Sequence, residues 1–248
     1  MANIHVSLVA EPIFELFGTE ITNSIFTGWV VNIVVLLLLL TLMTNFKRLP
    51  GVAQNLFESL YVFLFDLTEN ILGSKLAKGI FPLVLSLFLY ILFGSFIGLL
   101  PGVGTLGIVE EVHGKESNIP LFRAVTADLN ATLALTLIVF VVINYYGIKA
   151  NHGVRYFKRY FNFSNPVAAF VGLLELISET FVRITSFAFR LFGNIFAGEV
   201  IIAVMLALAG YMVLPFLLFE TFVAFIQAFV FVMLTIVFTS GAVAHDEH

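Results

Sequence analysis

Arg190 sits within Ser186-Phe-Ala-Phe-Arg-Leu-Phe-Gly-Asn-Ile-Phe-Ala-Gly-Glu199, inside a stretch otherwise apolar enough to span a bilayer. A basic side chain at the centre of a spanning helix costs ~3 kcal/mol on insertion scales, so an intramembrane charge is read first as functional. Its helical neighbours at i±3 and i±4 are Phe187, Ser186, Gly193 and Asn194, and none is a carboxylate. Water or another chain must therefore meet the charge. Glu199 lies ~13 Å farther along a helix and about half a turn out of phase, so it faces away from Arg190. Glu220 and Gln227 share one face of the last apolar stretch, ~10 Å apart. No basic residue stands within a turn of either glutamate in sequence, and burial disfavours the charged form of a carboxyl, so each is suited to take up and release a proton. A permanently charged guanidinium and two displaced carboxyls together suggest an ion path interrupted by a fixed positive charge.

On a regular helix Glu175, Glu179, Arg183, Ser186, Arg190 and Asn194 fall on a single polar stripe. Plainer roles compete for several of them. Glu179 and Arg183 stand i,i+4 in the favourable order, so an ordinary helix pair explains them as well as a channel does. Ser186 could bond back to a helix carbonyl, and Gln227 could be interhelical glue. Arg190 is the hardest to explain by packing.

Composition then defines what must hold these groups. With 60% hydrophobic and 11% charged residues, and uncharged runs such as 24–46, 79–109 and 129–148, the chain reads as an all-α integral membrane protein. The net charge of -4 comes without a basic tract, which argues against nucleic acid as a partner. There is no cysteine, so disulfides and thiolate chemistry are excluded. His5, His113, His152, His245 and His248 all fall in termini or connections, which argues against haem held between spans. No phosphate-binding loop motif occurs.

About five membrane-embedded helices and one amphipathic interfacial helix are expected, within one membrane domain over 1–248. Residues 1–27 form an N-terminal segment, and 28–46 form the first span, with Trp29 as an interfacial anchor and Lys47-Arg48 at its end. The stretch 50–78 carries Glu58, Asp66 and Glu69 among apolar residues at helical spacing, which suits an interfacial helix. Residues 79–148 form a helical hairpin whose Gly94-x-x-x-Gly98 indicates close packing and whose connection, 101–123, reads as a loop. Lys149, Arg155, Lys158 and Arg159 mark 149–165 as a cytoplasmic loop, and 244–248 are the tail. By the positive-inside rule the N-terminus is expected outside and the C-terminus in the cytoplasm.

Residues 166–243 form the last hairpin. A helix over 166–209 would extend ~66 Å against a hydrocarbon core ~30 Å thick. Either it breaks near Gly193-Asn194 into two spans, or it is one strongly tilted helix. Glu175, Glu179 and Arg183 in its first half favour an interfacial start and a tilt.

Phe189-Arg-Leu-Phe-Gly-Asn-Ile-Phe-Ala-Gly-Glu199 resembles the signature of subunit a of the F-type ATP synthases. Gln227-Ala-Phe-Val-Phe-Val-Met-Leu-Thr-Ile-Val237 is similar to that family's last-helix motif, and Thr126-Ala-Asp-Leu-Asn-Ala-Thr-Leu133 to its pattern at the start of an earlier span. The resemblance implies a proton-conducting stator of the Fo sector, not an enzyme on its own. It implies a rotating ring of c subunits, peripheral-stalk b subunits and the rest of the complex as partners, and no cofactor or metal. Arg190 would face the ring and attract each passing carboxylate while blocking leakage between two half-channels. Glu199, Glu220 and Gln227 would line the outer half-channel, with Asp128 and Asn130 near its mouth. Ser186 and Asn194, with Glu179 and Arg183, would border the inner one. One departure is Ile184, where many relatives place proline after the basic residue.

A bacterial plasma membrane is the expected location, since no basic region precedes the first apolar run as a cleaved signal requires. The rival from another class is a secondary ion-coupled transporter. That class usually shows internal repeats around a midplane site, and none is convincing here.

Overall fold

Hydrocarbon leaves backbone polar groups no partner but each other, so spans built from this composition must be helices. In the computed structural model, residues 9–16, 18–44, 51–100, 102–103, 106–112, 115–151 and 165–244 are described. Among them five helices are long and apolar enough to cross a membrane. The chain is an all-α integral membrane protein.

The first helix, α1 (Asn23–Thr44), begins at Asn23 and not at Gly28. Hydropathy misses its first turn because Asn23, Ser24 and Thr27 are polar, yet they are buried. Thr27 Oγ1 donates to the Asn23 carbonyl at 2.8 Å and Asn23 Nδ2 to the Pro120 carbonyl at 3.3 Å. Lys47, Arg48, Arg155, Lys158, Arg159 and all five histidines lie outside the described residues.

Helix α2 (Val52–Leu72) turns Leu64 and Thr68 inward and leaves Asp66 exposed, the asymmetry its sequence requires. It ends at Gly73, whose φ of 76° places it in the left-handed region that glycine alone enters cheaply. That turn lets α3 (Ser74–Leu99) start at once, ahead of the expected Gly79. Lys75 and Lys78 hid this first turn from a hydropathy reading.

Two short antiparallel hairpins were not foreseen. β1 (Pro12–Leu16) pairs with β2 (Thr19–Thr22), and β3 (Gly107–Val112) pairs with β4 (Lys115–Pro120) inside the stretch read as a loop. Two-stranded pairing here draws on backbone groups, so it leaves little trace in composition.

After a 3-10 turn at Val125–Ala127, α4 (Leu129–Ala150) runs back across. Then α5 (Pro166–Ile177), a π-helical turn (Ser178–Val182) and α6 (Arg183–Ala209) follow as one helical path. The path does not break at Gly193-Asn194, so of the two expected forms the single long helix is found. At Gly210, φ 53°, the chain turns through Gly210–Met212 into α7 (Val213–Val243).

Phe88 and Ile91 of α3, Val139 and Ile143 of α4, Phe187 and Leu191 of α6, and Phe231 and Ile236 of α7 meet in one core. In a bilayer such a core is held by packing and not by expulsion of water. One face of the bundle is tied by the Arg123 N–H, which donates to Thr27 Oγ1 at 3.1 Å. The opposite face is closed by Asn151 Nδ2, which donates to the carbonyls of Gly147 at 2.8 Å and Ala242 at 2.9 Å.

Candidate functional site

Along α6, Ser186, Arg190, Gly193 and Asn194 are exposed together. Arg190 Nη2 donates to Ser186 Oγ at 3.4 Å, a long bond one helical turn away. Among the described residues no carboxylate pairs with this guanidinium. A Cβ on Gly193 would meet nothing within 4 Å, so the surface beside the arginine is open. On its other flank Arg190 borders a small cleft of about 10 Å³ with Phe187, Leu191, Gln227, Val230, Phe231 and Leu234, room for roughly one water. Gln227, grouped from sequence with the two glutamates, thus also lines the arginine's cleft.

The two glutamates point into the protein. Glu199 is largely buried, and its Oε2 stands 3.9 Å from Arg123 Nε. The Ala124 N–H hydrogen-bonds to the same carboxylate, and Glu220 is near enough to act on it electrostatically. Glu220 is only 5% exposed, and its Oε1 has no hydrogen-bond partner among the described residues. A buried acceptor left without a partner is costly, which sets this oxygen apart from the paired carboxylate of Glu199.

Gly198 is what admits Glu220. A Cβ at that position would collide with the Glu220 carboxyl, so the absence of a side chain lets the acid lie against α6. Beside it a pocket of about 340 Å³ is lined by Gly198, Ile201, Ile202, Pro215, Phe216, Phe219 and Glu220. The buried acid therefore has space on one side and a helix backbone on the other.

The segment that faces Glu199 is itself seated on α3. A Cβ on Gly98 would lie 2.6 Å from Ala124 Cβ and 2.8 Å from Ala124 N, and one on Gly94 would lie 3.4 Å from Val125 Cβ. The close packing expected of these glycines is thus made against the 3-10 turn and its entry, not against another spanning helix. Ser95 Oγ and Thr126 Oγ1, 2.8 Å apart, add a buried hydrogen bond across that contact.

The other sequence candidates divide. Glu179 Oε1 and Arg183 Nη2 lie 3.5 Å apart as an i,i+4 pair, and the Arg183 guanidinium stacks 4.3 Å from the centre of Phe238. The ordinary pairing weighed from sequence is present. The π-helical turn at Ser178–Val182 also changes the helical phase between Glu175 and Ser186, so the stripe drawn on a regular helix does not hold there. Asp128 is buried and caps α4, its Oδ1 accepting from the Asn130 N–H at 2.9 Å. The Asn130 side chain is exposed.

Arg123 was missed. It stands at the end of the stretch that reads as a loop, 76 positions from Glu199 and far outside the helical turn that local spacing covers. Its one signal was a lone arginine in Leu121-Phe-Arg-Ala-Val125, an apolar run with no reason of its own to hold a charge.

A family model described as ATP synthase A chain matches residues 25–240. The chain is 36% identical over 255 residues to a protein named ATP synthase subunit a from Desulforamulus reducens, covering 98% of this chain and 88% of that one. It is 32% identical over 224 residues to a protein of the same name from a Sulfurihydrogenibium species, covering 88% and 98%. A Helicobacter pylori protein, also named ATP synthase subunit a, is 35% identical over 233 residues, covering 91% and 92%.

Proposed function

The chain belongs to the ATP synthase A chain family, and from that premise we propose that it is the proton-conducting stator of the Fo sector. It carries two offset half-channels and a charge gate that couple proton flow to rotation of a ring of c subunits, and so to ATP synthesis. The observation that carries this reading is the opposed placement of its charges. Arg190 lies exposed on an outward face, with no carboxylate paired to it among the described residues, while Glu199 lies largely buried and Glu220 fully buried on the inner side.

An exposed, always-charged group in the membrane needs an external anion, and the ring supplies one as an ion-binding carboxylate. At ~4 Å and an effective dielectric near 20, the attraction is ~4 kcal/mol before desolvation. That is enough to favour the deprotonated carboxylate as it passes without trapping the ring. The open surface at Gly193 lets a partner helix approach the arginine closely.

In this reading the outer half-channel runs through the pocket beside Glu220, by Glu199, to Gln227 at the arginine's cleft, with Asp128 and Asn130 near its mouth. Ser186 and Asn194 border the inner half-channel, with Glu179 and Arg183 at its entrance. The long helix α5 to α6 tilts strongly and follows the side of the ring. The peripheral-stalk b subunits hold the chain still, the N-terminus faces outward and the C-terminus lies in the cytoplasm of a bacterial cell.

The test is ATP-driven proton pumping and passive leak in vesicles bearing the assembled complex with Arg190→Ala. Lost pumping with an intact or increased leak is expected. Normal pumping would overturn the charge gate.

A further inference from the structure

Arg123 does more than close the face on which it sits. Its guanidinium carries N–H donors on three nitrogens in a fixed planar fork. Two of these nitrogens are committed to backbone: Nη1 donates to the Val9 carbonyl at 2.9 Å and Nη2 to the Ala127 carbonyl at 3.1 Å. Its own backbone N–H is held by Thr27. The group is 8% exposed and cannot swing away. That leaves Nε, and Nε is the atom that faces Glu199 at 3.9 Å.

The separation is informative. At 3.9 Å the pair is within Coulombic reach but too long for a hydrogen bond, so the carboxylate is attracted without being locked. Ala124, the next residue in the chain, presents its N–H to the same carboxylate, so one short segment offers Glu199 both a charge and a donor. Glu220 approaches as a like charge. Two neighbouring buried acids without a cation would resist holding negative charge together.

We propose that Arg123 is a positioning residue of the proton path: a fixed counter-charge that draws the Glu199 carboxylate toward its Nε without locking it and that stands against the like charge of Glu220 beside it. This rests on the reading of Glu199 as a station of the outer half-channel. Arg190 and Arg123 then divide the work of positive charge, the first meeting a partner's carboxylate and the second serving an acid of this chain.

The experiment compares Arg123→Gln, Arg123→Lys, Glu199→Gln and the double variant Arg123→Gln/Glu199→Gln in assembled complex. ATP-driven pumping in vesicles and thermal stability in detergent are both measured. Arg123→Gln is expected to cut pumping on the order of tenfold, because a buried charge is left without its partner. Arg123→Lys, which keeps the charge, is expected to recover a substantial part. The double variant should melt closer to the unmodified complex than Arg123→Gln does, since removing both partners leaves no orphaned charge.

Normal pumping by Arg123→Gln while Glu199→Gln fails would overturn the inference and leave the half-channel reading standing. Equal failure of the Gln and Lys variants, with the two stability losses simply adding in the double variant, would make Arg123 a plain structural clamp and also overturn it. Normal pumping by Glu199→Gln would remove Glu199 from the path, and both ideas would fall.

Discussion

Arg190 and Arg123 are the same residue type in the same bundle and meet opposite surroundings. Arg190 is exposed and holds one long bond to Ser186 on its own helix. Arg123 is buried, bound to two carbonyls and aimed at a carboxylate. A guanidinium stays charged in either place, so what differs is who must supply the counter-charge. The protein answers Arg123 internally, whereas among the described residues no carboxylate meets Arg190. Burial and pairing, more than residue type or depth in the chain, separate a charge offered outward from one used within.

Replacing each arginine by glutamine should break the comparison most sharply. Arg190→Gln is expected to abolish coupled pumping while changing stability by no more than about 0.5 kcal/mol, as for an exposed side chain with little to lose. Arg123→Gln should cost about 3 kcal/mol of stability, because it strands a buried carboxylate. Pumping and thermal melts on the same preparations decide it. A large stability loss at Arg190 would mean that its charge is met inside the chain after all.

Gly198 and Gly98 sharpen the inner half of the comparison. Gly198→Ala forces the Glu220 carboxyl to move, and a flexible acid can do so at small cost in stability. Its function should suffer more, since a displacement of ~1 Å in a reacting group can cost about a hundredfold. Pumping should fall roughly ten- to hundredfold in a complex that assembles normally. Gly98→Ala meets backbone instead, 2.8 Å from Ala124 N, so the turn itself must shift. Overpacking of that kind costs about 1–3 kcal/mol and would carry the Ala124 N–H away from Glu199. A Gly98→Ala complex with unchanged melting would show that the turn is not seated as described.

The sequence made the spans legible because hydropathy over long windows survives small errors. Their starts were less legible, since Asn23, Ser24 and Thr27 in α1 and Lys75 and Lys78 in α3 are polar residues inside helical first turns. Arg190, Glu199 and Glu220 stood out because a charge in hydrocarbon is anomalous by itself. Arg123 did not, because its meaning lies in a contact with Glu199 across 76 positions of chain, and helical spacing sees only a turn or two. The π-helical turn was hidden for a related reason: Ser178-Glu-Thr-Phe-Val182 contains neither proline nor glycine to announce a change of pitch.

Asp128 offers the finest test, because two roles for it predict different things from one atom of difference. As the cap of α4 it needs only an acceptor oxygen for the Asn130 N–H, which asparagine supplies as well as aspartate. As a station near the mouth of the outer half-channel it needs an acid. Asp128→Ala should therefore lower stability by about 1 kcal/mol under either role. Asp128→Asn should leave melting unchanged, and pumping then discriminates. Undiminished pumping would assign Asp128 to helix capping and start the proton path deeper, at Glu220 and its pocket. A fall of a few-fold with stability intact would extend the path to the mouth, on the face where Arg123 holds the segment that leads into α4.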